Sequence, residues 1–210
     1  MNNLLLANLA DFKFILGSQS PRRKELLKMM GLEFTSISLD IDETFDREIY
    51  KAEKITEFLA SKKSNAYLDL KEKEILVTSD TTVWVENQSL EKPIDYKEAK
   101  EMLELLSAKS HSVYSSVTLR SVHQELTFSD ETKVVFKELS AQEIDYYIRH
   151  YQPYDKAGAY GIQEWIGLIG IEKIDGNYFN VMGLPTEKLF LHLQNFLDQE
   201  NKFYQKVRLS

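Results

Sequence analysis

The chain has 210 residues, a formal net charge of -7 and no cysteine. That length can bury a sizeable core, in one domain or in two lobes sharing a cleft, and the lack of thiols excludes disulfides, cysteine nucleophiles and thiolate zinc sites. The acidic balance argues against a broad nucleic-acid footprint but leaves room for a local basic pocket around a small anion.

No apolar run approaches the roughly 18–20 residues that a membrane span needs. The start, MNNLLLANLADFKF, shows no basic leader and carries Asp11 just after its short apolar patch, so the expectation is a cytoplasmic protein without membrane or nucleic-acid partners. Phe14, Ile15 and Leu16 then predict a buried strand that runs into a helix. Ser20 is a good N-cap, Pro21 suits the first helical position, and Gly31 stands where a C-terminal cap belongs. Leu26, Leu27 and Met30 give that helix one apolar stripe. Arg22 and Arg23 occupy its first turn, where the helix dipole favours negative charge. A helix N-terminus with two guanidiniums and the hydroxyls of Ser18 and Ser20 suits a phosphate; an ordinary capped surface helix is the plain alternative.

The segment from Phe34 to Leu39 has strand character and empties into Asp40, Ile41, Asp42 and Glu43, either a solvated acidic loop or a magnesium site. From Ala52 to Leu70 the spacing of Ile55, Phe58, Leu59, Ala66 and Leu70 predicts a helix. Lys62 falls near the middle of its apolar face and Lys63 at the edge, so at least one lysine leaves the core face to meet a partner, unless both stems snorkel to water. ILVTSDTTVWV, from Ile75 to Val85, is the most apolar strand-like run and holds Asp80 in its middle. A buried carboxylate costs several kcal/mol unless paired, so Asp80 either turns outward at a strand break or belongs to a site, with Thr81 and Thr82 beside it on a pocket floor.

After Lys92, the pair Asp95 and Glu98 reads as a capping box opening a helix with Ala99, Met102, Leu103 and Leu106 inward. Ser110 to Leu119 and Leu126 to Phe136 are predicted strands, and Ser140 with Glu143 caps another helix. His111 lacks a second histidine or cysteine at ligand spacing and reads as a strand residue. YDKAGAYGIQ, from Tyr154 to Gln163, breaks the periodicity: its glycines allow close approach to a ligand, and Tyr160 or Gln163 could stack on or hydrogen-bond to a base. Around Asp175, Gly176 and Asn177 the pattern predicts a hairpin between Ile166–Ile171 and Tyr178–Met182, and Pro185 through Leu197 a last helix before a frayed polar tail. Strands and helices mix without strict alternation, which predicts an α/β fold with a mixed sheet rather than a regular dinucleotide-binding wrap.

Several separated motifs resemble the Maf family of nucleoside triphosphate pyrophosphatases: SQSPRRKELL, IDET, ASKKSNA, SDTTV, LEKP, YDKAGAYGIQ and DGNYFNVMGLP, together spanning about Phe14 to Pro185. The resemblance implies one domain over 1–210, an elongated mixed α/β sheet with flanking helices in two lobes around a cleft, similar to the inosine triphosphatase type. It implies Asp80 as the catalytic base, Ser18, Arg22 and Arg23 on the triphosphate, Lys63, Lys92 and Lys156 as added positive charge, and Glu43 on a divalent metal, magnesium or manganese. Arg22, Thr81 and Gln163 look like the set of members that cleave dTTP and UTP, whereas members acting on 7-methyl-GTP carry tryptophan, glutamine and a glutamate-containing motif in those neighbourhoods. Two positions depart from the pattern: Gly17 where alanine is usual, and Glu164-Trp165 where a glycine is common. A catalytically weak nucleotide sensor linked to division control is the alternative function, and a homodimer is compatible with the resemblance.

Overall fold

The computed structural model describes Leu9 and residues 11–208; the apolar patch at the start of the chain falls mostly outside them. Seven strands form one mixed sheet: β1 (Lys13–Leu16), β2 (Phe34–Ser36), β3 (Glu74–Val85), β4 (Gln88–Leu90), β5 (Ser110–Arg120), β6 (Glu125–Phe136) and β7 (Ile171–Asp175). Their order is β2-β1-β3-β5-β6-β7, with β4 on the far half of β3. β1 runs parallel to β2 and β3, and the remaining pairs are antiparallel.

Helix α1 (Pro21–Met29) starts and stops as its sequence dictates. The Ser20 hydroxyl accepts the Arg23 N–H, and Gly31, at φ +79°, closes the C-terminus by donating to Lys28 O while Leu32 N–H donates to Leu27 O. Helix α2 (Glu53–Asn65) ends well short of Leu70 and packs on β3, β5 and β6. Helices α3 (Tyr96–Leu106) and α4 (Ala141–Tyr151) follow; α4 has the full Ser140–Glu143 capping box. At α3 only half of the expected box forms, because Asp95 accepts the Glu98 N–H while the Glu98 carboxylate accepts from Ile94 N–H.

The expected hairpin around Asp175 to Asn177 is absent. Trp165–Gly170 is a helix (α5), β7 pairs with β6, and Tyr178–Val181 is a short helix (α6). Asn177 is the reason: its side chain accepts the N–H groups of Phe179 and Asn180, which caps a helix and leaves Gly176 to make the turn at φ +130°. The predicted strand from Phe34 stops at Ser36, and the last helix, α7 (Thr186–Arg208), continues through the stretch read as a frayed tail. Among the described residues no helix is long and apolar enough to cross a membrane.

Apolar side chains form two cores on this one sheet. Leu16, Leu26, Ile75, Leu119, Leu193 and Phe196 anchor the first, and Val83, Leu103, Phe136, Tyr147, Ile148 and Ile166 the second. Between them runs a seam of buried polar residues, Thr78, Ser79, Asp80 and Thr82 on β3 facing Ser115 and Ser116 on β5. An unpaired buried hydroxyl costs about 1–3 kcal/mol, and most of the seam is paired: Thr78 donates to Ala60 O at 2.7 Å, Thr56 and Ser116 share a bond of 2.6 Å, and Ser115 donates to Asn180 O at 2.9 Å.

Candidate active site

The seam opens to solvent where β3 lacks a neighbour along one edge. β1 accompanies β3 only as far as Val77, and β4 pairs with it from Val83, and just past this gap Asp80 to Val83 border a cleft of about 560 Å³. Open α/β sheets bind ligands outside the carboxyl ends of parallel strands at such a divergence, and β1 ends here between β2 and β3. Strand alternation gives the cleft two faces. Thr78 and Asp80 point towards α2, whereas Ser79 and Thr81 point towards Arg23 and Gly183.

On the first face Asp80 stays within an unbroken β3, paired in register with Ser116, and its carboxylate is buried rather than turned outward. Lys63 Nζ donates to Asp80 Oδ1 at 2.6 Å and lies 2.9 Å from Glu43 Oε1. The lysine on the core-facing side is thus Lys63, while Lys62, expected there, is only half-buried and donates to Thr44 O. Lys92 is 3.9 Å from Glu43 Oε2 and remains mostly exposed. Burial works against ionisation of Glu43, yet the charge and hydrogen bond of Lys63, aided by Lys92 and Arg23, hold its carboxyl below the ordinary value. Of the three acids in the Asp40 to Glu43 run only Glu43 joins this cluster; Asp42 bonds instead to the N–H and hydroxyl of Thr44.

On the second face Arg23 is held by the protein itself. Its Nε donates to Gly183 O at 2.9 Å, Nη1 to Ser79 O at 2.8 Å, and Nη2 to Thr81 Oγ1 at 3.1 Å. Burial pushes its pKa down, against the pull of the nearby Asp80 carboxylate. Thr81 Oγ1 is also bonded to Ser115 at 2.8 Å. Arg22 reaches across the cleft to Asp155 at 2.9 Å, and Ser18 Oγ accepts the Ser20 N–H at 3.2 Å at the entry to α1.

The far wall is the Tyr154 to Gln163 stretch. Gly158 has φ +68°, and a Cβ there would sit 2.8 Å from Val83 Cγ2, so the wall can lie on β3 only with glycine at this point. Lys156 is buried, with Nζ 2.6 Å from Asp155 Oδ1 and 3.1 Å from Glu164 Oε1. Tyr160 borders the cleft, and its hydroxyl is bonded to His111 Nε2 at 2.8 Å. His111 is a strand residue as expected, and burial pushes its pKa down to about 4. Gln163 lies exposed on the wall.

The cleft therefore gathers Ser18, Arg22, Glu43, Lys63, Asp80 and Lys92 along one side and, on the other side and wall, Arg23, Thr81, Lys156 and Gln163. Sequence reasoning missed Asp155, Glu164 and Gly183 as structural partners. Glu164 stood out only as a departure from the family pattern, and Gly183, at φ +110° beside Arg23 and Thr81, only as part of the DGNYFNVMGLP motif. Gly17 is explained by packing: a Cβ there would lie 2.6 Å from Leu39 Cδ1 and 2.8 Å from Thr78 Cγ2.

Glu43 and Asp80 each place one oxygen on Lys63 and keep the other, a donor set that suits a hard divalent cation taking one or two carboxylates together with phosphate oxygens and water.

Sequence comparison places the chain among known proteins. The family described as "Maf-like protein" matches residues 13–196. The dTTP/UTP pyrophosphatase of Flavobacterium psychrophilum is 47% identical over 193 residues, 91% of this chain and 98% of its own length. The dTTP/UTP pyrophosphatase of Phocaeicola vulgatus is 47% identical over 192 residues, 90% of this chain and 99% of its own. That of Bacteroides fragilis is 46% identical with the same coverage, 90% and 99%. A solved nucleoside-triphosphatase / dITP/XTP pyrophosphatase from Mycobacterium abscessus superposes with a TM-score of 0.39 at 14% identity, over 62% of this chain and 77% of its own, too loosely to carry an argument.

Proposed function

Since the chain belongs to the Maf-like protein family, we propose that it hydrolyses dTTP and UTP to the nucleoside monophosphate and pyrophosphate, as one domain whose two lobes share the cleft. The observation that carries this reading is Asp80, a carboxylate buried at the floor of a cleft and held by Lys63 beside a helix N-terminus that carries two arginines.

In the proposed step a water oxygen attacks the α-phosphorus, its proton passes to Asp80, and the bond to the bridging oxygen breaks to release pyrophosphate. Lys63 fixes the orientation of the carboxylate by its hydrogen bond. The α1 N-terminus with Ser18 and Arg22 faces the departing phosphates, and Lys63 and Lys92 oppose the charge that develops on their oxygens. Arg23, tied to carbonyl oxygens, contributes a fixed positive charge rather than a mobile grip. Magnesium or manganese would be held by Glu43, with Asp80 adjacent, and when bound supplies Lewis-acid polarisation of phosphate oxygens.

For the base we assign selectivity to Arg22, Thr81 and Gln163, with Thr81 acting through the Arg23 guanidinium that it orients and Gln163 offering both an amide donor and an acceptor. The test is pyrophosphate release from dTTP and UTP by the wild type, lost in Asp80→Asn.

A further inference from the structure

Glu164 follows Gln163, and its side chain is built in behind the wall of the cleft. Its Oε1 lies 3.1 Å from Lys156 Nζ and its Oε2 accepts the Tyr147 hydroxyl. That hydroxyl in turn accepts the Gly161 N–H at 2.9 Å. The carboxylate also lies over Gly161 itself: a Cβ at that residue would fall 2.8 Å from Glu164 Cδ and 3.0 Å from Lys156 Cε. Glu164, Tyr147 and Gly161 thus close a ring from α4 to the wall, and Lys156 extends it through Asp155 to Arg22 on α1.

We propose that Glu164 is a positioning residue that sets nucleotide selectivity by pinning the Gly161 to Gln163 wall and holding the Lys156 ammonium between two carboxylates. This deepens the pyrophosphatase reading and rests on it, since it takes Gln163 to face the base. Two consequences follow from the geometry. Gln163 lies between two tied residues, Gly161 before it and Glu164 after it, so its backbone is held in one place on the cleft wall. Lys156, flanked by Asp155 and Glu164, is held in one place at the wall, so its ammonium meets a bound nucleotide from a fixed position. Burial and the bond to Glu164 push the Tyr147 hydroxyl pKa up, which keeps it a donor in the ring.

The experiment compares wild type, Glu164→Ala, Glu164→Gln and Tyr147→Phe in steady-state pyrophosphate release from dTTP, UTP and CTP, with Tm measured on each full-length protein. For Glu164→Ala we expect kcat/KM for dTTP to fall about tenfold, the scale of one hydrogen bond to a charged group. The fall is expected mainly in KM, because the Asp80 cluster is untouched, and the dTTP to CTP ratio falls with it. Glu164→Gln keeps one acceptor oxygen and regains part of the ratio, while Tyr147→Phe opens the ring from the other side and shifts the ratio in the same direction. A purely structural role would lower Tm and reduce all three substrates alike. An active wild type whose folded variants keep its base ratio overturns this inference alone. A wild type that releases no pyrophosphate from dTTP overturns the functional reading and this inference with it.

Discussion

Replacing Lys63 with methionine tests how the site holds its charges. The ammonium sits 2.6 Å from Asp80 Oδ1 and 2.9 Å from Glu43 Oε1, with the Lys63 and Asp80 side chains 10% and 11% exposed. Methionine keeps an unbranched stem, so little cavity forms, and the loss is electrostatic. Removing one partner of a buried pair costs roughly 3–5 kcal/mol, because the other charge is stranded. Glu43, 46% exposed, is screened by water and adds little. The expected loss at pH 7 is therefore about 3 kcal/mol, a large share of the 5–15 kcal/mol or so typical of a domain. The pH dependence has a definite sign. In the wild type the folded state depresses the Glu43 carboxyl, so that contribution is fully present above the ordinary value of 4.5 and is lost as pH falls through the depressed folded value. The variant has already lost most of it, so the gap between the two proteins should hold from pH 7 to about 4.5 and narrow slightly as pH falls further. Urea unfolding at several pH values measures both effects. A variant as stable as wild type at pH 7, or a gap that does not change with pH, would refute the reasoning.

Two further predictions concern the frame around the site. Gly17→Ala should destabilise by about 1–3 kcal/mol through overpacking against Leu39 and Thr78, and adding Leu39→Ala should recover part of it in urea unfolding; a neutral Gly17→Ala would mean the loop relaxes freely. Ser140→Ala removes half of the α4 capping box and should lower Tm by about 2–4 °C. The Glu143 carboxyl is drawn down to about 2 by Lys137 first and then by the Ser140 N–H, so what it adds is present above 4.5 and fades as pH falls towards 2. An unchanged Tm would show that the box adds nothing to the fold.

Much of the site was legible because burial and charge conflict openly in the sequence. Asp80 in an apolar strand and two arginines at a helix start both stand out against local rules, and the structure places them on one cleft. What could not be read depends on contacts between distant segments. Lys62 and Lys63 are adjacent on a helix, and only the docking of α2 on β3 decides which meets Asp80. Arg23 reads as a phosphate grip, and nothing local shows that Gly183 O and Ser79 O, far along the chain, take two of its donors. The Asp-Gly-Asn turn signal was real, but Asn177 used it to cap a helix, a choice that local spacing leaves open. Glu164 looked like an intrusion because Tyr147 and Lys156, its partners, come from separate elements.

The central claim, that Asp80 activates water in a nucleotide cleft, is met most directly by measuring pyrophosphate release and nucleotide binding side by side. Wild type and Asp80→Asn would be compared on dTTP, UTP, CTP, GTP, ATP and 7-methyl-GTP with magnesium or manganese. The account predicts release from dTTP and UTP ahead of the others by wild type, and no turnover by Asp80→Asn although it still binds dTTP. An Asp80→Asn protein that turns over dTTP at the wild-type rate would contradict it.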